Sequence, residues 1–441
     1  MLILIAVVLF ELIIFFHEGG HFVAAKKSGV KVNEFALGMG PKLFSFRKGE
    51  TVYSFRLLPI GGYCAMEGED EESANPRAFN NAKIWKRMII VVAGALMNIL
   101  FGLALMFFSL LPNEQFTSTT VTGFSPDAFT ATTGLKSGDK IVKINDYKIN
   151  TSMDFSYAMY TMPLEDVNGK SDAIYKQDCT FALFNYCRTL AKDATNEQID
   201  MLNALITEGD NKIINSKDKE EAYKILCEYV DKTSNKMNVK DVTYPVIEEK
   251  ETRKRFISDI VVIRDGKEVT LNDVQFYTYK TSADGEPTIG IDFTLAPIDK
   301  NFTTLVSQTF SQTVSVVRTI WNSLIGMVTG QFGLNEVAGP VGLAKTITDV
   351  AGDSLKESFM DAVMSIVYIM MVISVNLGIV NMLPFPALDG GRFVLLLIEA
   401  IFKKPVPRKI EGIINGVGLA LLLLLMAVIT FKDVWMLIFG G

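Results

Sequence analysis

The sequence Phe15-Phe16-His17-Glu18-Gly19-Gly20-His21-Phe22 lies inside an almost wholly apolar stretch and decides both the fold class and the chemistry expected of this chain. His17 and His21 are the only two histidines among the 441 residues. On a helix, residues four apart lie on one face, so both imidazoles can reach one zinc ion. Glu18 can then act as general base towards a water activated by the metal. The H-E-x-x-H pattern therefore predicts a zinc hydrolase.

Apolar segments around a polar middle predict a polytopic α-helical membrane protein. Hydrophobic residues make up 49% of the chain, which is more than a soluble domain needs. A run of about 20 apolar residues is long enough to cross a bilayer. The predicted transmembrane regions are residues 1–28, 87–111, 359–400 (its span ending near 383 at a proline-rich turn) and 413–439. The first stretch has no basic leading region and contains the charged motif, which disfavours a cleaved signal peptide.

Lysine and arginine set the expected orientation. They are frequent between the first two spans, in the region 29–86, and the short loop after the third span carries Lys403, Lys404, Arg408 and Lys409. By the positive-inside rule both regions belong in the cytoplasm. Both termini and the long loop from about 112 to 358 are then expected to be extracytoplasmic.

The polar middle predicts a small α+β domain at residues 112–295. Its signals are a turn, short helix and strand at 125–145, and a strand ending in an Asp265-Gly266 hairpin turn. A charged, helix-biased stretch at about 158–256 is expected to be a helical insertion into that domain. Residues 303–328 are apolar but interspersed with Ser, Thr, Gln and Arg318, which predicts an amphipathic helix that is interfacial or partly buried and not a span. With the G-P-V-G segment that follows, this region extends over residues 303–345.

Charge and cysteine content exclude several functional classes. The net charge is −6 and no basic arm is present, so we expect no nucleic-acid partner. The four cysteines follow no C-x-x-C spacing, which makes them poor metal ligands. For Cys179, Cys187 and Cys227, a disulfide and free, packed thiols remain equally open. No feature of the sequence supports an oligomer, and we expect a monomer.

Two histidines leave a catalytic zinc one protein ligand short. The best remaining donor is Asp389, in Asn381-Met-Leu-Pro-Phe-Pro-Ala-Leu-Asp389-Gly-Gly-Arg392, at membrane depth beside the third span. An unpaired aspartate there is costly, and the two prolines and two glycines permit an open, turned backbone. The alternatives are that Asp389 caps the following helix or pairs with Arg392.

The two motifs together resemble the site-2 protease family of intramembrane zinc metalloproteases, and the order of parts resembles its bacterial regulator-of-sigma-E protease type. Further matching pieces are Leu37-Gly-Met-Gly40, Pro59-Ile-Gly-Gly-Tyr63, the Gly94–Asn98 run, the PDZ-like pieces at Gly134–Asn145, and Gly339-Pro-Val-Gly342. The resemblance implies that His17, His21 and Asp389 bind Zn²⁺ and that Glu18 is the general base.

The resemblance also implies how substrates are held. Asn381 would hold the substrate backbone or the developing oxyanion, and Asn98, Gly61 and Gly62 are further candidate substrate-binding residues. The segment 32–63 would form a membrane-associated β-hairpin loop that contacts lipid and pairs with an unwound substrate strand. The PDZ-like domain would filter substrates by size or bind freshly cut peptide C-termini.

Three features depart from the family pattern. Gly19 replaces a bulkier apolar residue, Ala95 stands where proline is usual, and the insertion splits the PDZ-like unit. The expected function is hydrolysis of transmembrane segments of single-span proteins in a bacterial inner membrane, such as anti-sigma factors or signal-peptide remnants. The rival interpretations are a non-catalytic PDZ-containing membrane scaffold and a zinc transporter or sensor.

Overall fold

A computed structural model describes residues 2–69, 71, 73–125, 128–166, 172–191, 194–247, 254–280, 287–333 and 337–439. The chain divides into two units. The first combines Met1–Glu114 with Lys300–Gly441, and the second is Gln115–Asp299. Helices and strands are numbered along the chain, so that α3–α7 and β3–β10 fall in the second unit.

The first unit is mostly helical and carries one small sheet. Its elements are α1 (Leu2–Ser28), β1 (Val32–Lys48), β2 (Thr51–Met66), a 3-10 turn at Phe79–Asn81, α2 (Ile84–Leu110), α8 (Phe302–Thr329), α9 (Pro340–Glu357), α10 (Phe359–Asn381), α11 (Asp389–Phe402) and α12 (Arg408–Phe439). Within the described residues, four helices are long and apolar enough to cross a membrane, namely α1, α2, α10 and α12. The expectation of four such helices is confirmed.

Two regions differ in detail from what the sequence led us to expect. The region 359–400 is two helices, because α10 ends at Asn381 and α11 starts only after a turn containing two prolines. The segment after 303 also holds two helices: α8 ends before the G-P-V-G segment, and that segment begins α9 with Pro340 in its first turn.

The β1–β2 sheet is folded on itself. Residues 42–48 of β1 pair with 51–56 of β2, while residues 34–37 of β1 pair with both 52–55 and 62–65. Bends make this arrangement possible, and they occur at glycines with positive φ, Gly38 and Gly40 in β1 and Gly61 in β2. Segment 62–65 is therefore an edge of the sheet.

The second unit contains a sheet and a helical bundle. Its elements are β3 (Gln115–Phe124), α3 (Phe129–Thr132), β4 (Lys140–Ile144), β5 (Tyr147–Lys148), α4 (Met153–Tyr160), β6 (Leu164–Asp166), α5 (Asp172–Ala191), α6 (Asn196–Ile214), α7 (Lys219–Met237), β7 (Lys254–Arg264), β8 (Lys267–Lys280), β9 (Pro287–Gly290) and β10 (Phe293–Asp299). The strand order is β10-β3-β4-β7-β8-β9, with β5 and β6 pairing at the side. Asp265 and Gly266 both have positive φ and connect β7 to β8, which confirms the predicted hairpin turn.

Helices α5, α6 and α7 lie within the stretch expected to be an insertion and share an apolar core of their own. Cys179 and Cys187 are fully buried in that core, and all four cysteines of the chain are free thiols. Burial raises the pKa of the Cys179 thiol to about 12, so it stays protonated and unreactive. Of the two alternatives for these cysteines, packed thiols are the one observed.

Candidate metal centre

Helix α1 carries the H-E-x-x-H motif into close contact with α2. His17 and His21 are both buried, 9% and 8% exposed. A Cβ on Gly20 would lie 2.7 Å from the carbonyl carbon of Ala93, so the two helix backbones approach each other here. At Gly19, by contrast, a Cβ would meet nothing within 4 Å. Of these two glycines, therefore, only Gly20 is required by the close approach of α1 and α2.

On α2, Gly94 faces both histidine rings. A Cβ at this position would lie 2.6 Å from His21 Cε1 and 2.9 Å from His17 Cε1, and closer still to His21 Nε2. Only a hydrogen fits between the helix and the imidazoles. The sequence showed Gly94 only as part of a run that matches the family, and its role beside the histidines was not predicted. A glycine in the middle of an apolar span was the available signal, because glycine is unfavourable within a helix.

Asp389 reaches the histidines because the chain breaks after α10. Pro384 and Pro386 lie in the turn between α10 and α11, and Asp389 is the first residue of α11. Side chains at Gly390 and Gly391 would overlap the backbone of the turn, residues 382–386. The L-D-G-G sequence thus lets the turn fold back on α11 and fixes the position of the carboxylate.

Three donor atoms converge at this point. His17 Nε2 and His21 Nε2 are 3.3 Å apart, and Asp389 Oδ2 lies 3.4 Å from the first and 3.3 Å from the second. Within the described residues, Asp389 Oδ2 is buried and accepts no hydrogen bond. Ligands bound at about 2.0–2.1 Å around a tetrahedral zinc stand about 3.4 Å from one another. The three side chains therefore fit one zinc ion.

The other nitrogen of each imidazole has its own partner. His21 Nδ1 lies 2.8 Å from the carbonyl oxygen of Ile90, and His17 Nδ1 lies 3.2 Å from the side-chain amide of Asn98. Asn98 is fully buried, and its backbone carbonyl accepts a hydrogen bond from Ser374 Oγ on α10. These contacts fix the orientation of both rings, as the partners of ligating histidines do in metal sites.

The remaining candidate residues lie at different distances from this centre. Asn381 Nδ2 is 3.4 Å from His17 Nε2. Glu18 lies beside the sheet edge, where a Cβ on Gly62 would be 3.5 Å from Glu18 Cγ and 3.1 Å from Ile14. Gly61 is at the bend in β2, next to Met39 rather than next to the donor atoms. The structure therefore brings Asn98 to a histidine, not to an open substrate surface.

A cavity of about 450 Å³ lies between α2, α11 and the start of α12. Val91 and Arg392 line it, whereas His17, Glu18, His21 and Asp389 are not among its lining residues. Arg392 forms an ion pair with Glu69, and Arg87 Nη2 lies 2.5 Å from Glu399 Oε1. The two ion pairs bind α11 to the segment after β2 and to α2, and they surround a space large enough for several waters.

Comparison with known proteins agrees with the resemblance that the two sequence motifs indicate. The sequence profile of peptidase family M50 matches residues 5–425. The regulator of sigma-W protease RasP of Bacillus subtilis is 30% identical to this chain, over 97% of each protein. The zinc metalloprotease RasP of Bacillus licheniformis is 29% identical, also over 97% of each. A protein of Clostridium acetobutylicum is 32% identical over 98% of this chain and 97% of its own length.

The relatives match nearly the whole chain, and the family profile includes every residue of the candidate metal centre and all or part of each of the four helices able to cross a membrane. The family that the two sequence motifs resemble is confirmed, as is the expected enzyme class. The four apolar helices and the relatives also indicate a membrane-embedded protein. The chain belongs to peptidase family M50, the site-2 protease family of zinc metalloproteases.

Proposed function

We propose that this protein is an intramembrane zinc endopeptidase that hydrolyses peptide bonds within the transmembrane segments of single-span membrane proteins. One observation carries the proposal: the donor atoms of His17, His21 and Asp389 meet between helices that are long and apolar enough to cross a membrane. A hydrophilic reaction centre at that depth suits substrates that themselves lie in the bilayer.

Glu18 and Asn381 perform the steps that belong to the chain itself. Zinc, when held by His17, His21 and Asp389, supplies Lewis-acid activation of a water and of the scissile carbonyl. Glu18 accepts the proton of the attacking water and then donates it to the leaving amine nitrogen. The Asn381 amide, beside the same donor atoms, donates a hydrogen bond to the substrate backbone or to the oxyanion.

The sheet edge at residues 62–65 is the proposed docking strand. Within the described residues, this edge pairs with β1 on one side only, and Gly62 places it beside Glu18. A substrate helix hides its peptide bonds, so it has to unwind, and an unpaired strand edge can receive the freed hydrogen-bonding groups. Gly61 contributes through its positive φ, which bends β2. Gly62 contributes because it has no side chain, so the strand edge can lie close to Glu18.

The same sheet is proposed to contact membrane lipid. Its exposed apolar side chains are Met39, Leu43, Phe44, Phe46, Phe55, Leu57 and Leu58. Lysine and arginine accompany them in both strands, as in surfaces that enter the interface of an anionic membrane. With the positive-inside rule, this supports a multi-pass protein of a bacterial inner membrane whose β-sheet of β1 and β2 faces the cytoplasm.

In the same orientation, both termini and the second unit are extracytoplasmic. We propose that the sheet of the second unit, split by α5–α7, acts as a PDZ-like domain that binds peptide C-termini. Its hairpin of β7 and β8 and the short helix α4 supply the strand and helix that such recognition requires. The substrates suited to this arrangement are anti-sigma factors or signal-peptide remnants that a first protease has already trimmed.

Asn98 is proposed to position His17 rather than to bind substrate. If His17 Nε2 binds zinc, the ring proton is on Nδ1, and only the oxygen of the Asn98 amide can accept it. We expect Asn98→Ala to weaken zinc affinity by about 10- to 100-fold, as loss of such partners does. A competitive chelator titration of the purified protein measures this. Asn98→Asp, which keeps an acceptor oxygen, should bind zinc nearly as well as wild type, and an unchanged affinity in Asn98→Ala would contradict the role.

The first test of the proposed function is the zinc content of the purified protein together with Asp389→Ala. We expect about one tightly bound zinc per chain in wild type and its loss in the variant, because two histidines alone leave the ion one ligand short. Elemental analysis by mass spectrometry gives the ratio. Asp353→Ala removes an exposed carboxylate of the first unit and serves as the matched control, with zinc content as in wild type.

The second half of the test locates the cleaved bond. A single-span reporter protein reconstituted with the enzyme in lipid vesicles should be cut within its apolar segment, and mass spectrometry of the fragments identifies the bond. Cleavage only outside that segment would exclude the intramembrane activity. A wild-type protein that folds but holds no zinc and cuts nothing would favour the scaffold instead.

A further inference from the structure

Helix α8 has the reverse of the polarity of a helix on a soluble protein. Its exposed residues between 305 and 325 are Val306, Ser307, Phe310, Val314, Trp321 and Ile325. Its buried residues over the same range are Leu305, Thr309, Gln312, Thr313, Ser315 and Val316. A helix packed on a water-soluble core buries its apolar residues and exposes its polar ones. On α8, five of the six exposed residues are apolar, and four of the six buried residues are polar.

Buried hydroxyl and amide side chains of α8 form hydrogen bonds within the helix itself. Thr309 Oγ1 donates to the carbonyl oxygen of Leu305, and Thr313 Oγ1 donates to that of Thr309, both at 2.8 Å. Gln312 Nε2 lies 3.3 Å from Gln308 Oε1 on the same helix. Such bonds to the preceding turn are how hydroxyl side chains are accommodated in helices surrounded by lipid.

Charge and length agree with this environment. Arg318 is the only charged residue among the 28 residues of α8. The helix begins at an Asn301 capping box and ends at Gly330 in the left-handed conformation, so both ends are defined. At ~1.5 Å per residue it is about 42 Å long. Embedding the helix in the bilayer does not require it to cross, so the orientation proposed from the four spans is kept. Its hydropathy is too low for a typical span because the inner face carries Ser, Thr and Gln.

The neighbours of α8 identify what covers its outer face. The helix packs against α2 and α10, which are both candidate membrane spans. These two helices expose large apolar residues of their own, including Phe108 on α2 and Phe359 and Met360 on α10. The stripe on α8 therefore belongs to the same kind of surface as the lipid-facing sides of its neighbours.

We infer that α8 is a fifth membrane-embedded helix, and that the stripe Val306, Phe310, Val314, Trp321 and Ile325 contacts lipid acyl chains. The helix places a satisfied polar face against α2 and α10 and an apolar face towards the bilayer. This differs from an interfacial helix, whose polar face is in water. It also differs from a face covered by a second copy of the chain.

Trp321 provides the test, because the chain contains only three tryptophans. The variant Trp85→Phe/Trp435→Phe leaves Trp321 alone on the stripe, and Trp85→Phe/Trp321→Phe leaves Trp435 on the span α12 as the control for lipid exposure. Each full-length variant is reconstituted in phosphatidylcholine vesicles brominated at the middle of the acyl chains. We expect the bromines to quench Trp321 as strongly as Trp435, and aqueous acrylamide to quench it weakly.

Two results would overturn the inference. Strong quenching of Trp321 by acrylamide with none by the bromolipid would place the stripe in water. Protection from both quenchers would show that protein, such as a second copy of this chain, covers it. The Trp435 variant tests reconstitution independently, because its quenching by bromolipid does not depend on α8. Zinc content of both variants, compared with wild type, reports that the fold is intact.

Discussion

A Glu18→Gln variant should keep its zinc, but its cleavage rate should fall by about 10²- to 10⁴-fold, which is the contribution usual for a positioned general base. Glu18 is not one of the three residues whose donor atoms converge, so its replacement leaves the ligand set complete. Glutamine has nearly the same shape but cannot accept the proton of the attacking water. Zinc per chain and the initial rate on a single-span reporter protein are measured on the same preparation.

Glu11→Gln is the matched control for this result. It makes the same carboxylate-to-amide change seven residues earlier on α1, away from the donor atoms, and we expect near wild-type cleavage. Equal turnover by Glu18→Gln and wild type would exclude Glu18 as the base. Loss of zinc together with activity would instead assign Glu18 a structural role in the centre. Both variants make the same chemical change on the same helix. A lower cleavage rate for Glu18→Gln than for Glu11→Gln therefore assigns the general base to position 18.

The sequence alone was enough to predict the four apolar helices and the ligand candidates. A charged H-E-x-x-H motif within an apolar run indicates a functional site, since histidines at membrane depth are costly without a function. The aspartate of the L-D-G-G turn followed from the need for a third donor, and the prolines before it indicated a break in the helix. These inferences depend on local pattern and on the cost of burying charge, which a single sequence shows directly.

Features that depend on packing between distant segments could not be predicted this way. The carbonyl oxygen of Ile90 beside His21 is a backbone group, so no residue type reports its role. Asn98 was expected at the substrate because the family resemblance implied it, and only the α1–α2 contact shows it at His17. The inverted polarity of α8 was also hidden, because the sequence shows a mixed helix without showing which face is buried.

Gly94→Ala should destroy the metal centre although it adds a single methyl group. The new Cβ would lie within 2.9 Å of His17 Cε1 and closer to His21, and real Cβ atoms do not approach neighbours so tightly. The His21 ring cannot swing aside freely, because its Nδ1 is held by Ile90 at 2.8 Å. Since Gly94 is buried between packed helices, α2 cannot withdraw without breaking its contacts with α1. We expect zinc affinity to fall by at least about 100-fold, the upper end for changes around metal ligands, and cleavage to fall with it.

Gly102→Ala separates this effect from ordinary overpacking. It places the same methyl on the same helix, where it would press on Val375 and approach Met371 of α10 instead of the histidines. We expect that control to lose up to about 1–3 kcal/mol of stability while it retains one zinc per chain. Chelator titration and thermal unfolding of both variants distinguish the outcomes. A Gly94→Ala protein with wild-type zinc affinity would show that the histidines do not meet at this point of α2, and the three-ligand centre would have to be abandoned.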